Sequence, residues 1–518
     1  MASRPLELKL CLDLADLARL RRRPEIRVWR LAPPLRQRLN TIYWDTPGFD
    51  LAAAGVVVRI RAAGGRRRLS VKTAGSRGAG LFARREWEWP AAGEIPDPRH
   101  LAATGLPVLR DPRVAARLRP VFATDLRRTL YRLGTADWEA TVALDYGAIG
   151  AGPAREAVCE AELSLVAGPP ARLFDLAAAL AAAVPARLMS LAKSDRGYRL
   201  AAGTPPLPVK AKPTALRADM TVAEAFRVIA RNCLDQLLAN ERCLAASGAP
   251  EAIHQMRVAL RRLRSAIRMF RAVVDGPGLL AVKAEIGWLL GHLGPARDGH
   301  VFLAEIVDPV VAAHPAAPPL TALRAAWLAE TDRLQSEACA AVASRRFTAT
   351  LLTVAAWVEA GDWLEAPGTS ATRDIGPFAR DVLARGDRRL RRAGGEKLSR
   401  LDEAALHRIR ILAKQLRYAG EFFASLWPRK AAPPFLATVA DLQEVLGQIN
   451  DIAVARTRLG VAGTNDGEPA EGERAEGERA WAAGLIAGWH AGRRKRLLAA
   501  ADKAWTRYRA AGRFWRKS

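Results

Sequence analysis

Cysteine is scarce in this 518-residue chain. The five present (Cys11, Cys159, Cys233, Cys243 and Cys339) are scattered, odd in number and form no CxxC pair. That argues against a disulfide framework or a cysteine-built zinc site and fits a reducing compartment. Aromatic residues make up only 6% of the chain, and they do not interleave with basic residues as in a single-strand nucleic-acid binder. No uncharged apolar run reaches membrane-spanning length; Leu176 to Pro185 is too short. The opening residues Met1 to Leu10 lack an apolar h-region, so the expectation is a cytoplasmic protein without a cleaved leader. Acidic residues are outnumbered, with 53 Asp and Glu against 80 Lys and Arg and a formal net charge of +27. That excess predicts an anionic partner, whether nucleic acid, a phosphate polymer or an acidic membrane, and charge alone does not choose among them. Hydrophobic residues reach 50%, enough for sizeable cores, and the length predicts two or three domains.

The first two hundred residues alternate with period two between turn-rich segments. In Leu6 to Leu12 the leucines share one face, while Glu7 and Lys9 share the other. Arg59 and Arg61 oppose Val58 and Ile60; Ser70 and Lys72 oppose Leu69, Val71 and Thr73; Arg84, Glu86 and Glu88 oppose Arg85, Trp87 and Trp89. Further runs cover Glu139 to Asp145 and Val158 to Leu165, the latter with Glu160 and Glu162 on one face. The pattern predicts an antiparallel sheet or barrel with helical inserts. Its charged face is either solvated or the lining of a closed lumen, and periodicity does not decide between them.

The ordered set Glu7-Leu8-Lys9, Tyr43-Trp44-Asp45-Thr46-Pro47, Arg59-Ile60-Arg61, Val71-Lys72-Thr73, Arg84-Arg85-Glu86-Trp87-Glu88, Leu144-Asp145-Tyr146-Gly147, Cys159-Glu160-Ala161-Glu162-Leu163 and Lys193 to Tyr198 resembles the CYTH domain of triphosphate tunnel metalloenzymes. The resemblance covers nearly all of residues 4–200. It implies an eight-stranded antiparallel β tunnel that takes a triphosphate with Mg²⁺ or Mn²⁺. By the motif, Lys9, Arg59, Arg61, Lys72, Arg84 and Lys193 would grip phosphates. Glu7, Glu160 and Glu162 would hold the metal, and Lys9 and Glu7 would carry the hydrolysis of inorganic triphosphate. Two positions depart from the family pattern: Pro5 stands where the first Glu is expected, and Ser164 where the late strand should have its third. Divalent ions need carboxylate oxygens, so the expectation leans towards phosphate binding with weakened or lost hydrolysis.

Four prolines in 201–216 mark a stiff linker. Helical periodicity follows, opening on a capping box at Thr221 and Glu224. In 253–271, His254, Arg257, Arg261, Arg264, Arg268 and Arg271 recur at steps of three and four, along one helical face. Met256, Leu260, Leu263, Ile267, Phe270 and Val274 form an apolar stripe nearly opposite. No Asp or Glu lies between Glu251 and Asp275, so no carboxylate within the helix relieves the Arg–Arg repulsion. An offset of 153 residues carries His254, Arg257, Arg261 and Arg264 onto His407, Arg410, Lys414 and Arg417. The same offset carries Leu293-Gly294-x-x-Arg297-Asp298 onto Leu446-Gly447-x-x-Asn450-Asp451. Two matches in register predict a duplicated, pseudo-symmetric helical fold.

This repeat resembles the CHAD domain, the conserved-histidine α-helical domain, over 217–460. The resemblance implies an all-α domain of two four-helix bundles that binds inorganic polyphosphate through His254, Arg257, Arg261, Arg264, His407, Arg410, Lys414 and Arg417. CYTH followed by CHAD is a known bacterial arrangement, and association with polyphosphate granules would follow from it. Arginine bridging two oxygens suits such a ligand. Asp298 and Asp451 are read as structural, capping a helix or pairing with arginine. The expected fold is therefore α+β: 1–200 tunnel, 201–216 linker, 217–460 helical with repeats from near 220 and 375, 461–480 acidic insert, and 481–518 a basic helix packed on the bundle. Competing readings are nonspecific nucleic-acid binding through charge and a protein-interaction scaffold.

Overall fold

The computed structural model describes residues 6–73, 76–78, 81–83, 86–364, 370–460 and 473–516. Pro5, Arg84, Arg85 and the segment 461–472 of the acidic insert lie outside them. Two compact units result. One holds Met1–Val209, Leu234–Ser247 and Ala343–Asp362; the other holds Lys210–Cys233, Gly248–Val342 and Trp363–Ser518.

The first unit is built on strands β1 (Glu7–Cys11), β2 (Leu35–Asp45), β3 (Val56–Ala63), β4 (Arg66–Thr73), β5 (Ser76–Gly78), β6 (Leu81–Ala83), β7 (Glu86–Pro90), β8 (Arg119–Gly134), β9 (Glu139–Ala151), β10 (Ala154–Ala167) and β11 (Arg187–Leu188). Nine of them form one antiparallel sheet in the order β11-β1-β10-β9-β8-β2-β3-β4-β7, and β5 and β6 form a separate hairpin. The expected eight-stranded closed tunnel is thus corrected. Among the described residues the sheet has nine strands and is open, because β11 rather than β7 pairs with the free side of β1.

On β3 and β4 the apolar face packs against helices. Val56, Val58, Ile60, Leu69 and Val71 pack with Leu101, Leu109 and Val114 from the short helices that follow β7. Burial of these aliphatics, at about 25 cal/mol per Å² of apolar surface, fixes the phase of β3 and β4. A one-residue slip would exchange the two faces, so Arg59, Arg61 and Lys72 are committed to the other side. β2 ends in a turn anchored by Asp45, a fully buried carboxylate accepting from the backbone N–H of Thr46, Leu51 and Ala52 at 2.7–2.9 Å. Helix Lys193–Ala201 is seated by Gly197: a Cβ there would lie 2.1 Å from Phe122 Cε2, so only glycine allows this approach.

In the second unit the capping box forms as expected. The Thr221 N–H donates to Glu224 Oε2 at 2.9 Å and the Glu224 N–H to Thr221 Oγ1 at 3.2 Å. Helices begin at Val222, Pro250, Gly278 and Pro318, and again at Ile375, Glu403, Ala432 and Glu473. All six apolar-stripe residues of helix Pro250–Met269 and its extension are buried. Ala482 and Ile486 of helix Glu473–Ala510 join Phe302, Ile306, Val310 and Ile452 in one core, and Trp505 and Tyr508 are fully buried. No described helix is long and apolar enough to cross a membrane.

Candidate functional site

The charged face of the sheet lines a cavity of about 180 Å³ that contains Glu7, Lys9, Tyr43, Arg59, Arg61, Lys72, Glu86, Arg128, Glu162 and Lys193. Six cations face three carboxylates. The strand register explains the grouping, since cross-strand neighbours share a face. Arg59 lies opposite Tyr43 and Ser70, Lys72 opposite Glu86, Lys9 opposite Glu162, and Arg128 opposite Asp145.

The cavity is electrostatically divided. On β3 and β4, Arg59 beside it and burial push Arg61 down to about 10. Burial, with Arg59, pushes Lys72 down to about 8. Glu86 is their local carboxylate, 2.9 Å from Lys72 and 3.6 Å from Arg59. Among the described residues, the buried Nε atoms of Arg59 and Arg61 have no hydrogen-bond partner. On β1, β9 and β10 the carboxylates are answered. Lys193 Nζ contacts Glu160, lies 2.8 Å from Asp145 and 3.4 Å from Glu162. Arg128 grips Asp145 through two bonds of 2.7 Å. Burial opposes the charge of Glu162, but Lys9, Lys193 and Arg128 outweigh it and hold this carboxylate well below its usual range. Glu7 goes the other way, raised by burial and by Glu162, although Lys9 Nζ is 2.7 Å away.

Of the expected metal residues, Glu160 and Glu162 converge with Asp145, their oxygens within 4.8 Å of one another. Glu7 is not in that trio. It lies opposite Ser164 in the β1–β10 register, so the replaced carboxylate falls on the Glu7 side of Glu162 and away from Glu160. Arg84 lies outside the described residues. Glu86, Arg128 and Asp145 were missed as site residues by the sequence reading. Asp145 sits in the Leu144-Asp145-Tyr146-Gly147 motif, and its parity on β9 is the signal that could have found it. Arg128 lies on β8, where the Arg127-Arg128 pair obscures the alternation.

The second unit has its own cavity, of about 460 Å³. It brings together His254, Arg257, Arg261, His407, Arg410, Lys414 and Arg417 with Arg297, Asp298, Asn450, Asp451 and Arg458. Arg264 is exposed and does not line this cavity. The internal acid gap of the helix is offset from outside. Arg257 pairs with Asp298 and donates to the Gly294 carbonyl at 2.8 Å. His407 Nδ1 is 2.7 Å from Asn450 Oδ1. Burial and Arg297 push His254 below its ordinary value. Burial, then Arg261, Arg410 and Arg417, push Lys414 down to about 7.

A CYTH domain model matches residues 4–198, and a CHAD domain model matches residues 228–460. The chain is a CYTH domain followed by a CHAD domain. Over 163 residues, 31% of the chain, it is 32% identical to an inorganic triphosphatase of Haemophilus influenzae, spanning 46% of that protein's length. The crystal structure of the CHAD domain from the plant Ricinus communis is 31% identical, with 59% of this chain and 98% of that chain covered and a TM-score of 0.49. HpAC1 from Hippeastrum, described as having a dominant triphosphatase activity, is 16% identical over 39% of this chain and 96% of its own, with a TM-score of 0.30. The 180 Å³ cavity thus belongs to the CYTH domain and the 460 Å³ cavity to the CHAD domain.

Proposed function

We propose that the protein binds condensed inorganic phosphate, with a triphosphate group in the CYTH cavity and a polyphosphate chain in the CHAD cavity. The observation that carries this reading is the pair of buried guanidinium Nε donors on Arg59 and Arg61 that no acceptor among the described residues satisfies. A buried unsatisfied donor costs about 1–3 kcal/mol, and a phosphate oxygen would relieve that cost along with the mutual repulsion of Arg59, Arg61 and Lys72. In the CHAD cavity, His254, Arg257, Arg261, His407, Arg410, Lys414 and Arg417 line a space whose carboxylates among the described residues are Asp298 and Asp451. Such crowding favours a ligand with one charge per phosphate and releases counterions on binding.

Asp145, Glu160 and Glu162 form an all-oxygen donor set that suits a hard divalent cation such as Mg²⁺ or Mn²⁺. When bound, that ion would supply Lewis-acid polarisation of a phosphoryl oxygen. Lys193, at the N-terminus of its helix, balances these carboxylates and can re-pair its ammonium with a phosphate oxygen. Glu7, raised from its ordinary value by burial and Glu162, is suited to accept a proton from an attacking water, with Lys9 steadying the carboxylates around it. The Ser164 replacement weakens the Glu7 side and leaves the Asp145–Glu160–Glu162 set untouched, so slow hydrolysis of inorganic triphosphate is the expected activity. Phosphate release from triphosphate with Mg²⁺ or Mn²⁺ tests it: release no greater than that of Lys9→Ala leaves a binding domain only.

The +27 charge favours one second reading, nonspecific nucleic-acid binding. If duplex DNA displaces polyphosphate at equal phosphate concentration and physiological salt, that reading replaces the first.

A further inference from the structure

The 153-residue offset extends beyond the basic motif. The helices beginning at Val222 and Pro250 restart at Ile375 and Glu403. Applied to the groove behind the basic row, the offset compares a filled site with an open one. In the first half, Arg262 is buried, donates to Asn232 Oδ1 at 3.0 Å, and lies 5.1 Å over the Phe422 ring. In the second half the equivalents are Gln415 for Arg262, Arg385 for Asn232 and Met269 for Phe422. These residues enclose an empty groove of about 250 Å³.

Its chemistry is inverted as well as its occupancy. The first groove holds a guanidinium, whereas the second presents three of them, Arg268, Arg385 and Arg389, around a floor that includes Met269, Leu412 and Leu416. Among the described residues no carboxylate lines it. Among the described residues, none of the three arginines has a protein ion-pair or hydrogen-bond partner. Three cations above an apolar floor match a ligand with an anionic end and a compact apolar body. The volume lies just below the range of about 300–1,000 Å³ usual for small-molecule sites. It therefore suits one planar ring system, with the charged end left at the rim, better than a long acyl chain. A bare phosphate chain would leave the floor uncovered.

We propose that this groove binds a nucleoside phosphate, its base on Met269, Leu412 and Leu416 and its phosphate held by Arg268, Arg385 and Arg389. The site is separate from the two cavities assigned above to condensed phosphate, so the test must silence those first. AMP would be titrated calorimetrically, without divalent metal, into the full chain already saturated with inorganic triphosphate and polyphosphate, with ribose 5-phosphate as the comparison. The expected result is AMP binding at least about tenfold tighter than ribose 5-phosphate. Arg385→Glu with Arg389→Glu should weaken AMP at least about tenfold, as loss of charge-assisted bonds does. Both side chains are exposed, so the fold should survive, which a thermal melt checks. Gly386→Leu should block AMP by filling the groove, since a Cβ at 386 already lies 3.2 Å from Leu416 Cδ1. Absence of AMP binding, parity with ribose 5-phosphate, or indifference to both variants would overturn the proposal.

Discussion

Lys414 gives the most exacting test of polyanion binding by the CHAD cavity. Without a ligand its half-buried ammonium lies beside Arg261, Arg410, Arg417 and Arg257, and burial with these charges pushes it down to about 7 from 10.5. Keeping it charged there costs about 5 kcal/mol relative to water, since each pKa unit is worth about 1.4 kcal/mol. A phosphate chain would reverse the local potential and restore the proton. Binding should therefore take up nearly one proton at pH 8. Affinity should fall about 50-fold between pH 7 and pH 9, as the lysine gives up its proton in the free protein but not in the complex. The stability of the unliganded protein should show the opposite sign. The folded value is depressed, so between pH 7 and about 10.5 the unfolded chain holds more protons and stability rises with pH. Calorimetry of polyphosphate binding in buffers of different ionisation enthalpy measures the proton uptake directly. Lys414→Arg should abolish the slope while keeping the affinity, and it leaves His254 and His407 in place as internal controls. A flat wild-type profile from pH 7 to 9, or an unchanged slope in Lys414→Arg, would refute the reasoning.

Three further outcomes follow from the geometry. Arg61→Met should raise the melting temperature of the unliganded protein by removing repulsion with Arg59, worth about 1–2 kcal/mol, while weakening triphosphate binding at least about tenfold; a calorimetric scan and a titration check the two halves. Lys193→Ala leaves Asp145 and Glu160, both fully buried, short of one cation and should cost about 3–5 kcal/mol. Mn²⁺ should recover more stability in that variant than in the wild type, which thermal melts with and without Mn²⁺ report. Gly197→Ala places a Cβ against Phe122 and should destabilise the CYTH domain by about 1–3 kcal/mol, read from denaturant midpoints.

Much of this was legible in the chain because alternation and repeat are local in sequence. The phase of Glu7 and Lys9, the faces of β3 and β4, the Thr221 cap and the apolar stripe from Met256 to Val274 each follow from side chains a few residues apart. The identity of the basic row followed from its second copy, 153 residues later. What stayed hidden depended on partners distant in sequence. Strands β2 and β8 were not read as strands, and with β8 went Arg128, whose role appears only once it reaches Asp145 across the sheet. The acid trio needed β9 beside β10, which is what brings Asp145 to Glu160 and Glu162. Whether a lysine is an ordinary cation or a neutral amine at pH 8 depends on burial and on four arginines from two helices, which no spacing encodes. The sequence by itself determined which residue types recur on which face, because covalent periodicity sets side-chain direction. Only the tertiary structure decided which faces meet, since desolvation and charge act through space and are set by packing.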